Sequence, residues 1–203
     1  MANVLQLEVG GFDKNYSYLV TGKSKNETIL IDPTGSVEVI ENAIQKNELK
    51  VVLILLTHSH PDHKELASHF ALTGIKVFEP KKGLVGRAEE ISVAEMKIEA
   101  IHTPGHTPES VCYLIDKNIF SGDTLFVKGV GTTAYGGNDK ELKESLDFLS
   151  SFDKKLRLWP GHNYGGTSST LGTALSNSHI KPSEKTLEEI KKRVEAYEKG
   201  KFS

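Results

Sequence analysis

The stretch "LILLTHSHPDH", residues 53–63, passes from an apolar run straight into three histidines and an aspartate. Val51, Val52, Leu53, Ile54, Leu55 and Leu56 have the makings of a core strand. The turn that follows carries His58, His60, Asp62 and His63, which do not belong in an apolar layer. Two readings fit these residues taken alone, a solvated loop after a buried strand or one corner of a metal site. They separate on whether matching ligands recur further along the chain.

They do recur. His106 follows "HTPG", Asp123 follows "FSG" and His162 follows "WPG", each at the end of an extended segment and directly after a glycine. Glycine lets the backbone turn sharply, and a strand end is a rigid place from which to aim a side chain at a shared point. Together the loops supply five imidazoles and two carboxylates, nitrogen and oxygen donors that suit Zn, Fe, Mn or Co. The thiolate set of a purely structural zinc site is missing. His69, His102 and His179 have no motif partner and are expected to be surface or hydrogen-bonded histidines. Trp159 and Tyr164 flank the last ligand, Trp159 as pocket wall or as core.

Around these loops the chain alternates strands and helices. Short β-rich runs at 4–9, 16–21 and 28–33 come first, the third ended by Asp32-Pro33. Val37, Ile40 and Ile44 then recur at helical spacing behind Ser36, a ready N-cap, so a helix links that strand to 51–56. A second set follows: a helix over about 64–72, extended runs at 75–80, 91–102, 110–116 and 118–123, a helix over 139–152 and a strand at 156–160. Leu187, Ile190, Val194 and Tyr197 share one stripe and predict a short amphipathic C-terminal helix over about 183–199. This order predicts α/β or α+β architecture, two mixed sheets packed together with helices outside, in a single domain over 1–203.

Composition removes several function classes. The 25 basic and 27 acidic residues are dispersed and the net charge is −2, so neither nucleic acid nor an anionic membrane surface is an expected partner. The N-terminus lacks a basic segment followed by a long apolar one, and the run from Val51 to Leu56 is too short to span a bilayer, which predicts a cytoplasmic protein. Cys112, the single cysteine, lies in the apolar run "VCYLI" and reads as a small buried hydrophobe.

The motifs "THSHPDH", "HTPGHT", "SGDTLF" and "PGHNY" resemble the metal-binding motifs of the metallo-β-lactamase superfamily over about residues 4–182. Within it they are most similar to the glyoxalase II (hydroxyacylglutathione hydrolase) group and its iron-dependent relatives, the persulfide dioxygenases. The resemblance implies a four-layer αββα sandwich with metals in loops at one edge. It implies His58, His60 and His106 on one metal, Asp62, His63 and His162 on the other, and Asp123 bridging them. Tyr164 matches a tyrosine that hydrogen-bonds substrate in that group, and Gly131 and Thr132 fall where its substrate loop lies. Thr132 stands nine residues after Asp123, where the group commonly has Lys or Arg to hold glutathione, so the cationic anchor is absent. "DHKEL" replaces a Gly pair found in many relatives, and 41 residues follow His162, fewer than the helical substrate domain of glyoxalase II requires.

The chemistry follows from such a site. Two divalent cations about 3.5–4 Å apart hold a bridging hydroxide near neutral pH, and one of them polarises the carbonyl under attack. Asp62 can orient that hydroxide and take its proton. A thioester suits the site because its thiolate leaves readily without a strong acid. The expected activity is therefore a glyoxalase II-like thioesterase with two divalent ions, Zn or else Fe or Mn, on a small-molecule thioester. The alternative is a persulfide dioxygenase with one Fe(II) on His58, His106 and Asp123. A lactonase and a non-catalytic metal-binding homologue are the remaining readings, and the sequence leaves the oligomeric state open.

Overall fold

The computed structural model describes residues 1–11, 13–23 and 26–178. Strands β1 (Asn3–Gly10) and β2 (Asn15–Thr21) form an antiparallel hairpin, and β3 (Glu27–Ile31) adds antiparallel to β2. Helix α1 (Val37–Lys46) then crosses over, so that β4 (Lys50–Leu55) lies parallel to β3. Ser36 caps the helix through the Val39 N–H, and Ile40 is its fully buried residue. After α2 (Pro61–Lys64) and α3 (Ala67–Ala71), β5 (Lys76–Phe78) joins parallel to β4, completing a five-stranded mixed sheet in the order β1-β2-β3-β4-β5.

The second sheet starts as an antiparallel meander of β6 (Ala88–Val93), β7 (Met96–His102), β8 (Val111–Ile115) and β9 (Asn118–Gly122). Helix α4 (Asp139–Leu149) crosses back and places β10 (Arg157–Pro160) parallel to β9. The short β11 (Ser169–Thr170) and helix α5 (Leu171–Asn177) follow, and the six strands run β11-β10-β9-β8-β7-β6.

Three apolar layers hold these elements. Tyr18, Ile29, Leu53, Ile98, Tyr113 and Phe120 meet between the two sheets. Leu19, Leu30 and Ile54 pack outward under Ile40 of α1 and Phe70 of α3. Cys112, Ile119 and Leu158 pack the other way, under Leu142 and Leu146 of α4 and Ala174 of α5. Helix, sheet, sheet, helix is the expected four-layer sandwich.

Two local expectations change. The run 91–102 is not one strand: Ala94 and Glu95 take φ values of 50° and 58°, and a two-residue turn folds β6 onto β7. That is a primed hairpin turn without its usual Asn-Gly signal. The helix expected over 64–72 divides into α2 and α3 because the Leu66 N–H donates to the Pro33 carbonyl, 3.0 Å away, rather than within a helix. The C-terminal helix over 183–199 lies outside the described residues, as does His179.

Strand direction positions the site. β3 and β4 run parallel, and β7, β9 and β10 share one direction because β8 reverses between β7 and β9. Their carboxyl ends carry Asp32, the 57–63 loop, the 103–106 loop, Asp123 and His162, and these meet at one end of the sandwich.

Candidate metal centre

All seven ligands expected from the motifs converge there, in three groups that share members. The donor atoms within each of His58–His60–His106, His58–His63–Asp123 and Asp62–His63–His162 lie within 4.8 Å of one another. Asp123 sits between the halves: its Oδ2 is 3.6 Å from His106 Nε2 and 3.2 Å from His162 Nε2. Asp62 Oδ2 is 3.5 Å from His162 Nε2, at the more open side of the cluster.

Four of the five imidazoles are fixed through the nitrogen that faces away from this point. His106 Nδ1 donates to the Thr132 carbonyl at 2.7 Å, and His162 Nδ1 to the Asp13 carbonyl at 2.6 Å. His63 Nδ1 donates to Asp32 Oδ2 at 3.0 Å. The Thr57 hydroxyl spends its proton on Asp32 Oδ2 at 2.6 Å, so it accepts from His58 Nδ1 at 3.1 Å. Each neutral ring then presents a bare Nε2 lone pair inward. His63 and His162 aim theirs at each other across 3.1 Å, and His58 Nε2 is buried without any partner. Asp123 Oδ1 is also buried without a hydrogen bond. Such a set is satisfied by a cation among the donors, so the residues fit a metal.

The electrostatics agree. Burial pushes His58 well below the ordinary histidine range and lowers His106 too. Burial pulls His63 in the same direction, but Asp123 and then Asp32 outweigh it and raise His63 well above that range. His162 is raised because Asp123 likewise offsets its burial. Asp123 is held well below the usual carboxylate range, the surrounding His63, His162 and His58 overcoming its desolvation. Asp123 and Asp32 thus favour positive charge on the His63–His162 side of the centre.

Close backbone approach explains two glycines. A Cβ on Gly161 would lie 2.4 Å from Asp123 Oδ1, and one on Gly131 would lie 2.1 Å from the Asp123 carbonyl and 2.7 Å from His106 Nδ1. Gly131 therefore lets its loop pack against the ligands, and Thr132 contributes its carbonyl there while its Oγ1 accepts from the Ala134 N–H. Tyr164 stacks on the His162 ring with 17° between planes, and its hydroxyl donates to Asp13. Trp159 belongs to the inter-sheet core, with Nε1 donating to Asn118. Cys112 is fully buried and its thiol is pushed up to about 11 by burial, which makes it a packing residue. His69 pairs with Glu41 on the surface, and His102, buried, faces Glu89.

Asp32 is the residue the motifs did not disclose. It is buried, adopts φ 48°, and its carboxylate accepts from the Thr57 N–H at 2.7 Å, the Thr57 hydroxyl and His63. In the sequence, Asp-Pro after an apolar strand marks a strand end equally well, so only the fold shows that this aspartate reaches a ligand loop. A groove of about 960 Å³ opens beside Asp62, lined by Val9, Gly11, Pro61, Lys64 and Glu65 among others. No helix among the described residues is long and apolar enough to cross a membrane.

Two mixed sheets with histidines and aspartates gathered at their strand ends define a metal-binding enzyme of the four-layer sandwich class. The chain belongs to the metallo-beta-lactamase superfamily, whose family model matches residues 10–73 and 80–162. It is 34% identical to a hydroxyacylglutathione hydrolase of Francisella tularensis subsp. tularensis, over 74% of this chain and 64% of that protein, and so spans less than two thirds of that relative's length. It is 29% identical to the probable polyketide biosynthesis zinc-dependent hydrolase BaeB of Bacillus velezensis, over 74% of each. Among solved structures, ETHE1 from Myxococcus xanthus superposes with a TM-score of 0.76 at 25% identity, covering 95% of this chain and 91% of that one.

Proposed function

We propose that this protein is a dinuclear metal-dependent thioester hydrolase of the glyoxalase II kind. The observation that carries the reading is the position of Asp123, whose one carboxylate faces both His106 and His162. His58, His60 and His106 would hold one divalent cation, Asp62, His63 and His162 the other, and Asp123 both. Bound there, two cations would supply a hydroxide near neutral pH and would polarise the thioester carbonyl. Asp62 accepts the proton of the attacking water at a carboxylate oxygen, the position its partly exposed side chain suits. The fixed tautomers of His63, His106 and His162 hold the donors in place without reorganisation. The thiolate departs without a protein acid.

Relatives named as a hydroxyacylglutathione hydrolase and a zinc-dependent hydrolase support hydrolysis and zinc. The groove beside Asp62 supports a small-molecule substrate, and its lining lysine, Lys64, is balanced by Asp62 and Glu65. That balance, with Thr132 in place of a cation, favours a thiol carrier less anionic than glutathione. The test is metal content with hydrolysis of a thioester series. His162→Ala should lower the metal count from two toward one and cut hydrolysis at least about a hundredfold, or about 2.7 kcal/mol of transition-state stabilisation. Full metal content with near wild-type turnover would overturn the reading.

One feature favours a second reading. His58, His106 and Asp123 form a two-histidine, one-carboxylate set that is complete without the Asp62 half, the arrangement of a mononuclear Fe(II) dioxygenase. Under that reading His162→Ala retains iron and retains oxygen uptake on a persulfide.

A further inference from the structure

The turn between β1 and β2 reaches both ligands of the Asp62–His162 pair. Asn15, the first residue of β2, is polar and yet only 1% exposed. Its Nδ2 donates to the Asp62 carbonyl at 2.8 Å and to Asp62 Oδ2 at 3.2 Å, and its Oδ1 accepts from the Asp13 N–H at 3.0 Å. Both amide protons and an amide lone pair are therefore used. The Asp13 carbonyl in turn receives His162 Nδ1 at 2.6 Å. The backbone here is tied to the other sheet: Asn15 bridges to His162, the Asn163 N–H donates to the Lys14 carbonyl, and the Tyr16 N–H to the Gly161 carbonyl.

Asp62 has need of such a support. It rides on α2, a helix of four residues whose N-cap offers no side-chain hydrogen bond, and its carboxylate is partly exposed. So short a helix does not immobilise a side chain by itself. The other half of the centre has supports of its own, Thr57 behind His58 and the Thr132 carbonyl behind His106.

We infer that Asn15 is a positioning residue for Asp62, and that through it the β1–β2 turn sets metal occupancy in the Asp62–His63–His162 half of the centre. The inference rests on the two-cation reading. One oxygen of Asp62 can accept the amide proton and still offer a lone pair toward His162, so the hydrogen bond selects the rotamer that faces the metal position.

The experiment is a competitive zinc titration of metal-stripped protein, read together with the melting temperature of the metal-free form. The wild type should show two binding steps. Asn15→Ala should weaken one step by about ten- to a hundredfold, the usual cost of losing an outer partner of a metal ligand, and leave the other unmoved. Asn15→Ser retains an acceptor for the Asp13 N–H without the amide, and should show the same selective loss with a metal-free melting temperature near wild type. Asp62→Ala should weaken the same step, and adding Asn15→Ala to it should weaken that step no further, because the two act through one contact. Two unchanged steps in both Asn15 variants, or additive losses in the double variant, would overturn the assignment of Asn15. A wild-type chain that takes up a single ion would overturn the two-cation reading and the inference with it.

Discussion

Replacing Asp32 with asparagine tests how the fold prepares His63. The substitution keeps the shape, and asparagine tolerates the left-handed φ of 48° as well as aspartate does, so the backbone has no reason to move. What changes is the donor count. The carboxylate accepts three hydrogen bonds, from the Thr57 N–H, the Thr57 hydroxyl and His63 Nδ1. If the amide oxygen stays with the Thr57 N–H, the NH₂ group faces the hydroxyl and His63; if the amide flips, the NH₂ group opposes the Thr57 N–H. In the first arrangement His63 must give up its Nδ1 proton and carry one on Nε2, which removes its lone pair from the metal position. A charge-assisted hydrogen bond contributes about 1.5–3 kcal/mol, and at about 2–4 °C per kcal/mol for a chain of this size the metal-free melting temperature should fall by about 3–12 °C. Metal affinity should fall about ten- to a hundredfold. Thermal melts with and without metal, together with a zinc titration, read both effects. An Asp32→Asn protein that melts lower but binds two zinc ions with wild-type affinity would refute the claim that Asp32 sets the His63 tautomer.

Gly131→Ala should destabilise the protein by about 1–3 kcal/mol and weaken metal binding, because the new methyl group meets the Asp123 carbonyl and His106 Nδ1; an unchanged denaturation midpoint and zinc affinity would show that the loop has room. The metal-free protein should lose stability as pH rises above the ordinary histidine range, about 6.5. His63 and His162, raised in the fold, keep protons that the unfolded chain has released by then, whereas His58 and His106, lowered by burial, act only as pH falls below that range. Melts at three pH values decide this, and the metal-loaded protein should trend oppositely because metal displaces those protons. Thr132→Lys leaves the carbonyl that holds His106 in place, so it should lower KM for S-lactoylglutathione by about tenfold or more with kcat nearly unchanged, while an uncharged thioester shows no response.

The convergence of His58, His60, Asp62, His63, His106, Asp123 and His162 was legible because each stands in a short motif after an apolar strand, and because strands with a common direction deliver their carboxyl ends to one place. The layering was legible for a related reason: α1 and α4 carry apolar stripes, while the central strands β3, β4, β8, β9 and β10 put apolar residues on both faces. What the sequence withheld depends on contacts between distant segments. Nothing in "NYSYLVT" distinguishes Asn15 as more than a strand opener, and Asp62 lies 47 residues away from it. The break after Lys64 is of the same kind, since the Leu66 N–H is claimed by Pro33 on a neighbouring strand end. The turn at Ala94–Glu95 lacks glycine or asparagine, and cross-strand pairing from Val93–Met96 to Ala88–Ile101 holds residues there that local propensity disfavours.

The supports of His58, His63, His106 and His162 show why strand ends suit this chemistry. Asp32, Asp13, Thr57 and Thr132 each fix an outer nitrogen, and in doing so they turn bare inner lone pairs toward one another. A mobile loop would relieve that repulsion by turning a ring away. Here the rings are buried or backed by main chain that is itself tied down, Asp13 through Asn15 and Gly131 through the Asp123 carbonyl. The repulsion therefore persists in the metal-free fold, and Asp123 eases it by favouring protonation of His63 and His162. A cation entering the centre would compete with protons there and satisfy the donors together, so much of its binding free energy would be set by how firmly the strand ends refuse to relax.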